Sequence, residues 1–185
     1  MTSSCHLWIG HIPLAFVFSV PGDEEVRKGK PVAGDTGENL DSALVHLHSA
    51  EPTLFSSTDR YDYRITNAFP EPIAVALGHK VSEARGSEVK NSRNIQRVLS
   101  ELHDCGLVVL CGNKARLLAS AIRGPERTVV EVPHIGNKGL NGKFPVPPHL
   151  QLASSPDRRR YRVELWASAV LQQIDDRQNA TPGCD

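Results

Sequence analysis

The chain lacks the bulk features that mark two large classes of protein. Its 185 residues include 21 basic and 21 acidic side chains, so no excess of positive charge identifies a general nucleic-acid binder. No apolar run reaches the roughly 18 residues that a membrane-spanning helix needs, and no basic leader precedes an apolar segment at the N-terminus. We therefore expect a cytoplasmic protein without membrane contact, in which any DNA-binding surface is local.

Cysteine is scarce and is not grouped. The four cysteines, Cys5, Cys105, Cys111 and Cys184, form no CxxC pair and no Cys/His cluster with the spacing of zinc ligands. Isolated thiols of this kind are typical of reduced, structural cysteines in the cytosol. We therefore expect neither a metal site nor a cofactor.

What the sequence does contain is a regular alternation of two patterns. Strand-length apolar runs alternate with stretches whose apolar residues recur at helical spacing. The predicted strands are 14–19, 61–67, 107–110 and 128–132, and the predicted helices are one over 38–49, one capped by Asn91, one over 115–122 and one over 158–175. The alternation predicts an α/β protein, a three-layer αβα sandwich around a central, mainly parallel four-stranded sheet.

The length fits one monomeric domain spanning 1–185, with a core over about 14–175. In a parallel sheet, ligands bind beyond the carboxyl ends of the strands. Polar clusters follow the predicted strands at that end, at 19–23, 66–67, 112–113 and 134–141. We expect these clusters to converge on one crevice.

The stretch over 14–41 has the most specific pattern. An apolar run stops at Pro21-Gly22, a polar loop with several glycines follows, and a helix begins near Glu38. Such a layout places backbone N–H groups around an anion or a nucleotide. The stretch resembles the first motif region of the uracil-DNA glycosylase superfamily, in its single-domain bacterial members. The positions that fit in order are Pro21, Gly22, Glu24, Gly29, Pro31, Gly34, Gly37, Leu40 and Asp41.

Three later segments extend the resemblance over roughly residues 14–142. The segment YRITN resembles the strand whose final Asn, here Asn67, reads the flipped base. The segment VVLCGNKA resembles the third strand and the helix that follows it. His134 stands at the place of the histidine in the superfamily's second motif, and Leu140 stands where relatives insert an apolar wedge into the base stack.

The reaction that this resemblance implies makes its own demands on the residues. Hydrolysis of an N-glycosidic bond leaves negative charge on the departing base, and a donor such as His134 stabilises that charge. An acidic or polar side chain must hold the attacking water on the other side of the sugar. Asn67 offers both a donor and an acceptor to a base edge. Pro21 and Gly22 belong to the predicted base pocket, to which the glycine-rich loop adds backbone donors.

The chain departs from the superfamily pattern at the catalytic positions. Ser19 stands where many relatives carry the Glu or Asn that orients the water, and Val20 stands where others carry a catalytic Asp. We assign the water to Asp23 first, with Glu24 and Asp35 as alternatives, and keep Ser19 as a catalytic candidate. The cysteine spacing of the iron–sulfur branch is missing, and no lysine is placed to form a Schiff base. We expect hydrolysis without a cluster and without strand cleavage.

A further departure concerns the base. Val32 replaces the aromatic residue that stacks on the base, which widens the pocket wall and weakens stacking by roughly 1–3 kcal/mol. Asn137 and Asn141, in the altered histidine segment HIGNKGLN, add amides beside it. Such a pocket suits a pyrimidine with a bulky polar substituent. Some bacterial anti-phage glycosylases that resemble this superfamily remove glucosylated hydroxymethylcytosine from phage DNA, and we take that base as the leading hypothesis.

Two other functions stay open. Uracil excision in base-excision repair is the conservative alternative, and the missing acid at positions 19 and 20 favours a non-catalytic binder of DNA or modified nucleotides. An unrelated hydrolase or nucleotide-binding domain lacks support, because the chain has no GxSxG, Walker or GxGxxG motif.

Local basic residues complete the prediction of a DNA partner. Such groups hold phosphates on either side of a flipped nucleotide. The residues expected at the DNA lie in the histidine segment and at the starts of two helices: Lys138, Leu140, Asn141, Arg158, Arg159, Arg160, Arg162, Lys114 and Arg116.

Overall fold

A mostly parallel β-sheet covered by helices forms the structure, a computed structural model that describes residues 4–73 and 83–180. This confirms the predicted α/β architecture. The strands are β1 (Leu7–Trp8), β2 (Ile12–Phe18), β3 (Tyr63–Asn67), β4 (Leu107–Cys111) and β5 (Thr128–Val132). The sheet has five strands rather than the predicted four, because β1 pairs antiparallel with β3 at one edge. A strand of two residues is too short to show an alternation in the sequence.

The order of the strands across the sheet is β1-β3-β2-β4-β5, and β2 to β5 run parallel. The chain leaves β2 for β3 on one side and later enters β4 on the other side of β2. The connections that follow β2 and β4 therefore run in opposite directions. In an open parallel sheet, such a switch point leaves a crevice beyond the carboxyl ends of the two strands.

Eight helices connect or cover the strands in the described residues. They are α1 (Asp23–Lys28), α2 (Asp35–Ala50), α3 (Gly86–Val89), α4 (Ser92–Glu101), α5 (Asn113–Arg116), α6 (Ala119–Ile122), α7 (Asn137–Lys143) and α8 (Ser155–Ala180). The predicted cap of α4 is confirmed, since the Asn91 side chain accepts a hydrogen bond from the backbone N–H of Arg93. α2 and α8 extend beyond their predicted bounds because their polar end turns carry no apolar period.

Three short helices lie where we predicted only loops or irregular chain. α1 lies within the glycine-rich loop after β2, α3 lies just before the predicted cap of α4, and α7 lies within the segment after His134. The single helix predicted over 115–122 is instead the pair α5 and α6, of 4 residues each. Helices of one or two turns are too short to show an apolar period. A short turn expected at 74–77 lies outside the described residues.

The core lies on both faces of the sheet, and β2 contributes to both layers. Leu14, Phe16 and Phe18 pack on the side that also holds the buried residues of α2 and α8, whereas Ala15 and Val17 pack on the side of α4. The alternation of side chains along a strand produces this division. The predicted apolar stripe of the last helix is buried as well: Val163, Trp166, Ala167, Val170 and Ile174.

The backbone of the loop before α2 packs in close contact with that helix. Val32 has φ +44°, in the left-handed region that a β-branched residue rarely adopts. Its carbonyl oxygen lies so close to α2 that a Cβ built on Gly37 would stand 1.9 Å from it. Glycine at position 37 therefore permits the contact, and the contact fixes the path of the loop from Gly29 to Gly34.

We expect Gly37→Ala to lower the free energy of unfolding by about 1–3 kcal/mol, because the added methyl group overpacks a rigid backbone contact. This loss outweighs the gain of about 1 kcal/mol that alanine brings to a helix interior. Urea denaturation measures the difference. Gly124→Ala is the control, since a Cβ there meets nothing within 4 Å. Equal stability of Gly37→Ala and the wild type would contradict the close contact between position 37 and the carbonyl of Val32.

Candidate functional site

A cleft of about 770 Å³ opens at the carboxyl ends of β2, β4 and β5. Its walls come from three segments of the chain, 19–23, 112–116 and 133–143, together with Glu83 and Ile73. Three of the four predicted polar clusters therefore converge at the switch point of the sheet. The predicted site residues that line the cleft are Ser19, Pro21, Gly22, Asp23, His134, Asn137 and Lys138, together with the predicted DNA contacts Lys114 and Arg116.

His134 is held as a hydrogen-bond donor. The backbone N–H of Gly136 donates to His134 Nδ1 at 2.9 Å, and a backbone N–H can only donate. The lone pair therefore lies on Nδ1, and the proton of the neutral imidazole lies on Nε2. Burial lowers the pKa of His134 below its usual 6.5, while the charge of Glu83 acts in the opposite direction. The ring is a neutral donor at the cleft.

Close packing fixes the His134 ring. Phe18, the last residue of β2, meets it edge-on, with ring centroids 5.7 Å apart. A Cβ on Gly112, which has φ +98°, would stand 3.0 Å from His134 Cβ, and a Cβ on Gly136 would stand 2.9 Å from Nδ1. The glycines around this histidine therefore let the backbone of two loops close over the imidazole.

Two buried oxygens near the strand ends have no hydrogen-bond partner. They are Ser19 Oγ and Asn67 Oδ1, and no donor in the described part of the chain reaches either of them. Phe18 and Asn67 are in register on neighbouring strands, and the carbonyl of Ser19 accepts from the backbone N–H of Phe69 at 3.1 Å. The two side chains thus belong to the same corner of the sheet. Orphaned buried polar atoms are rare and indicate a water or ligand.

Asn67 does not line the cleft, but its strand end is firmly placed. Its side chain is 4% exposed, and its carbonyl accepts a hydrogen bond from the Arg97 guanidinium at 2.9 Å. Arg97 also pairs with Glu101, which in turn accepts from Thr66 of the same strand at 2.6 Å. This network holds the end of β3 against α4.

Charge in the cleft is predominantly positive. The charged lining residues are the bases Lys114, Arg116, Lys138 and Lys143 and the acids Asp23 and Glu83. Lys114 Nζ lies 4.0 Å from the Glu83 carboxylate, whereas Asp23 is exposed at the first position of α1. Within the described residues, Lys138 and Lys143 have no ion pair. The cleft therefore favours an anionic ligand.

Lys143 and Glu83 line the cleft but were not among the predicted site residues. Lys143 is the last residue of α7, a helix that the sequence pattern did not predict. Because this segment was predicted as a loop, the position of Lys143 beside the cleft could not be predicted. Glu83 is distant in sequence from every polar cluster that follows a strand. The charge of each residue is evident in the sequence, but only the path of the chain brings it to the cleft.

Two predicted positions lie in the core instead of the cleft. Val32 is 3% exposed and Leu140 is 1% exposed, and both belong to the apolar cluster on the α2 and α8 side. Leu140 anchors α7 to that cluster, so it is not placed as a wedge for the base stack. Val32 does not form a wall of the cleft. In both cases the local sequence pattern does not show which side of the loop faces inward.

The predicted arginines lie behind α7 and partly serve the fold. Arg159 Nε donates to the buried Asn39 side chain, and its NH2 group lies 3.1 Å from Glu38. Asn137, at the start of α7, donates to Asp35 at 3.0 Å and accepts from Asn39 at 3.3 Å. Asn141, Arg158 and Arg159 do not line the cleft but line a second pocket beyond α7.

The state of His134 predicts a dependence of stability on pH. A lowered pKa means that the unfolded chain binds a proton between its own pKa near 6.5 and the lower folded value, whereas the folded protein does not. We therefore expect the free energy of unfolding to fall as the pH is lowered below about 6.5, and to fall less steeply in His134→Gln. Urea denaturation over that pH range measures the difference, with the exposed His103→Gln as control. Imidazole nitrogen resonances that show a proton on Nδ1 would contradict the assignment of the His134 proton to Nε2.

Neither protein-family models nor curated proteins identify a relative of the chain, since no model matches it and no curated protein matches it significantly. Over residues 4–73 and 83–180, no helix combines the length and apolar content that crossing a bilayer needs. In the same ranges, no three or more His, Cys, Asp or Glu side chains are grouped so as to hold a metal ion.

Proposed function

We propose that the protein is a monofunctional DNA glycosylase that flips a modified pyrimidine into the cleft and hydrolyses its N-glycosidic bond. The observation that carries the proposal is the fixed neutral His134, with its proton on Nε2, at the switch-point cleft. A base that departs takes the electron pair of the broken C1′–N bond and becomes anionic. A preorganised donor beside a base oxygen stabilises this charge as it develops.

The other half of the reaction requires a water at the sugar. The water oxygen bonds to C1′ as the glycosidic bond breaks, and its proton passes to a carboxylate. Asp23, at the end of the loop that follows β2, is the acid we assign to this role, and Ser19 Oγ supplies a further hydrogen bond. Ser19 Oγ is buried and has no partner inside the described protein, so in this proposal it bonds the water once the substrate has opened this corner of the cleft.

The substrate proposal rests on the size of the cleft. Asn67, the residue expected to read the base edge, does not line the cleft, and its unpartnered Oδ1 is buried. In this proposal the end of β3 opens towards the cleft when DNA binds, and the Asn67 amide then offers an acceptor and a donor to the base edge. The cleft volume of about 770 Å³ lies in the range of sites for ligands larger than a plain pyrimidine. We propose glucosylated hydroxymethylcytosine of phage DNA as the excised base, with an abasic site as the product and antiviral defence as the role.

The positive lining supports DNA as the partner. Lys138 and Lys143 are unpaired within the described residues and project from α7, while Lys114 and Arg116 lie on the opposite wall. Cations on both sides of a base pocket hold the phosphates that flank a flipped nucleotide. In this proposal the protein acts on DNA as a monomer in the cytoplasm.

One observation favours a second function, the non-catalytic recognition of modified DNA. The described cleft lining has two carboxylates, Asp23 and Glu83, and both are exposed rather than held in the pocket. A general base works best when its position is fixed against the reacting water. A binder needs the cleft, the donor and the cations but no fixed acid. Formation of alkali-sensitive abasic sites separates the two functions.

The base can be identified directly. We expect the purified protein to release the sugar-modified base from DNA that carries glucosylated hydroxymethylcytosine, and mass spectrometry identifies the product. His134→Ala removes the donor and should lower the rate by about 10²–10³-fold, whereas His103→Ala, far from the cleft, should retain it. Ready release of uracil with the sugar-modified DNA left intact would instead support the repair alternative. Binding without abasic sites would support the recognition function.

A matched pair of variants tests the acid. Asp23→Asn removes the proposed base for the water and should lower the rate of base release by about 10²–10⁴-fold. Glu24→Gln is the control, because Glu24 is the next residue, is exposed, and pairs with Arg27 at 2.6 Å outside the cleft. Full activity of Asp23→Asn would remove Asp23 from this role, and loss of activity in Glu83→Gln would then transfer it to Glu83.

A further inference from the structure

A second polar pocket lies on the far side of α7 from the cleft. It encloses about 380 Å³ and is lined by Asn137, Asn141, Ser155, Arg158, Arg159 and Arg162, with Leu140 as its apolar side. Positions 137, 140 and 141 share one face of α7, while Lys138, Gly139 and Gly142 lie on the face that lines the cleft. α7 is therefore a wall between two concave sites, and Asn137 at its start borders both.

The charge of this pocket is positive, and none of the described residues that line it is acidic. Arg158 and Arg162 stand four residues apart on α8, at the spacing at which like charges repel one another. Among the described residues, neither has a carboxylate within ion-pair distance, whereas Arg159 and Arg160 pair with Glu38 and Asp157.

Both unpaired guanidinium groups are anchored by backbone carbonyls. Arg158 donates to the carbonyl of Ala153 at 2.5 Å, and Arg162 Nε donates to the carbonyl of Phe144 at 3.0 Å. A guanidinium has five N–H bonds, so these anchors leave several donors available. Anchored cations that repel one another are typical of a site that is completed by an anion.

The start of α8 adds to the positive potential. Ser155 is the first residue of this 26-residue helix and lines the pocket. The N-terminus of a long helix carries a partial positive charge and backbone N–H groups without partners inside the helix. The Asn141 amide adds a neutral donor, as does the one N–H of the Asn137 amide that is not used in its bond to Asp35.

We propose that this pocket binds a phosphate group. The planar fork of an arginine matches two oxygens of a phosphate, and two such forks with amide donors match its tetrahedral shape. The source that fits the molecule best is a backbone phosphodiester of the DNA strand whose base enters the cleft, since Asn137 borders both sites. That source rests on the proposed function, whereas the phosphate site itself does not. A free nucleotide phosphate is the other source with the same chemistry.

Inorganic phosphate tests the site by itself. Titration of the full-length protein, followed by amide chemical shifts, should show shifts centred on α7 and the first turns of α8. We expect Arg162→Gln to weaken phosphate binding at least about tenfold, and Arg158→Gln to weaken it similarly. Arg162→Lys keeps the charge but loses the planar fork, so its affinity should lie between those of the wild type and Arg162→Gln. Arg160→Gln is the matched control, because Arg160 lies on the same helix but outside this pocket. Equal binding by Arg160→Gln and Arg162→Gln, or no binding by the wild type, overturns the proposal.

Binding to unmodified DNA distinguishes the two sources. If a backbone phosphate occupies the pocket, Arg162→Gln should reduce the slope of log K against log salt by about 0.7–0.9, the value for one phosphate contact, while Arg177→Gln, towards the other end of the same helix, leaves it unchanged. If phosphate binding is lost in Arg162→Gln but the DNA slope is not, the pocket is confirmed and its ligand is a free phosphate compound. Neither experiment measures base release, so the glycosylase proposal and the phosphate-site proposal can fail independently. Retained amide dispersion in Arg162→Lys shows that the fold is intact.

Discussion

Hydrogen bonding of β2 to β3 on one edge and to β4 on the other is the constraint on which the structure depends. Because the chain visits the two neighbours in succession, the connections after β2 and β4 leave in opposite directions. The carboxyl ends of these strands therefore stay open, and the loop after β5 closes the third side. Side chains from widely separated parts of the sequence meet there because parallel strands end at the same edge of the sheet.

The chemistry of the cleft follows from backbone contacts around one imidazole. Gly112 and Gly136 allow two loops to approach His134 so closely that its ring is largely shielded from solvent, and this desolvation disfavours the protonated form. The Gly136 N–H then occupies Nδ1 and leaves the proton on Nε2. A charged imidazolium would attract an anionic base more strongly, but at a large desolvation cost. The neutral donor needs no such compensation and keeps a fixed direction.

A buried amide joins the helices around α7. Asn39 is fully buried on α2, donates to the carbonyl of Ile135 at 2.8 Å and accepts from Arg159 of α8. Together with the buried Leu140, this amide determines which face of α7 is directed at the cleft and which at the arginines of α8. Buried polar groups that are fully satisfied specify a unique arrangement of the elements that they join.

The α/β class, the four parallel strands and the polar clusters at their ends are evident from the amino-acid sequence, because apolar period and strand length are local properties. The sequence also marked His134 and Asp23 as candidates. Tertiary structure alone decided the edge strand β1, the short helices α1 and α7, the burial of Val32 and Leu140, and the separation of Arg158 and Arg159 from the cleft. The protonation state of His134 also belongs to that group, since it depends on a Gly136 hydrogen bond and on burial. The physical reason is the same in each case. These features depend on contacts between distant segments or on helices of one or two turns, and such contacts and short helices produce no apolar period in the sequence.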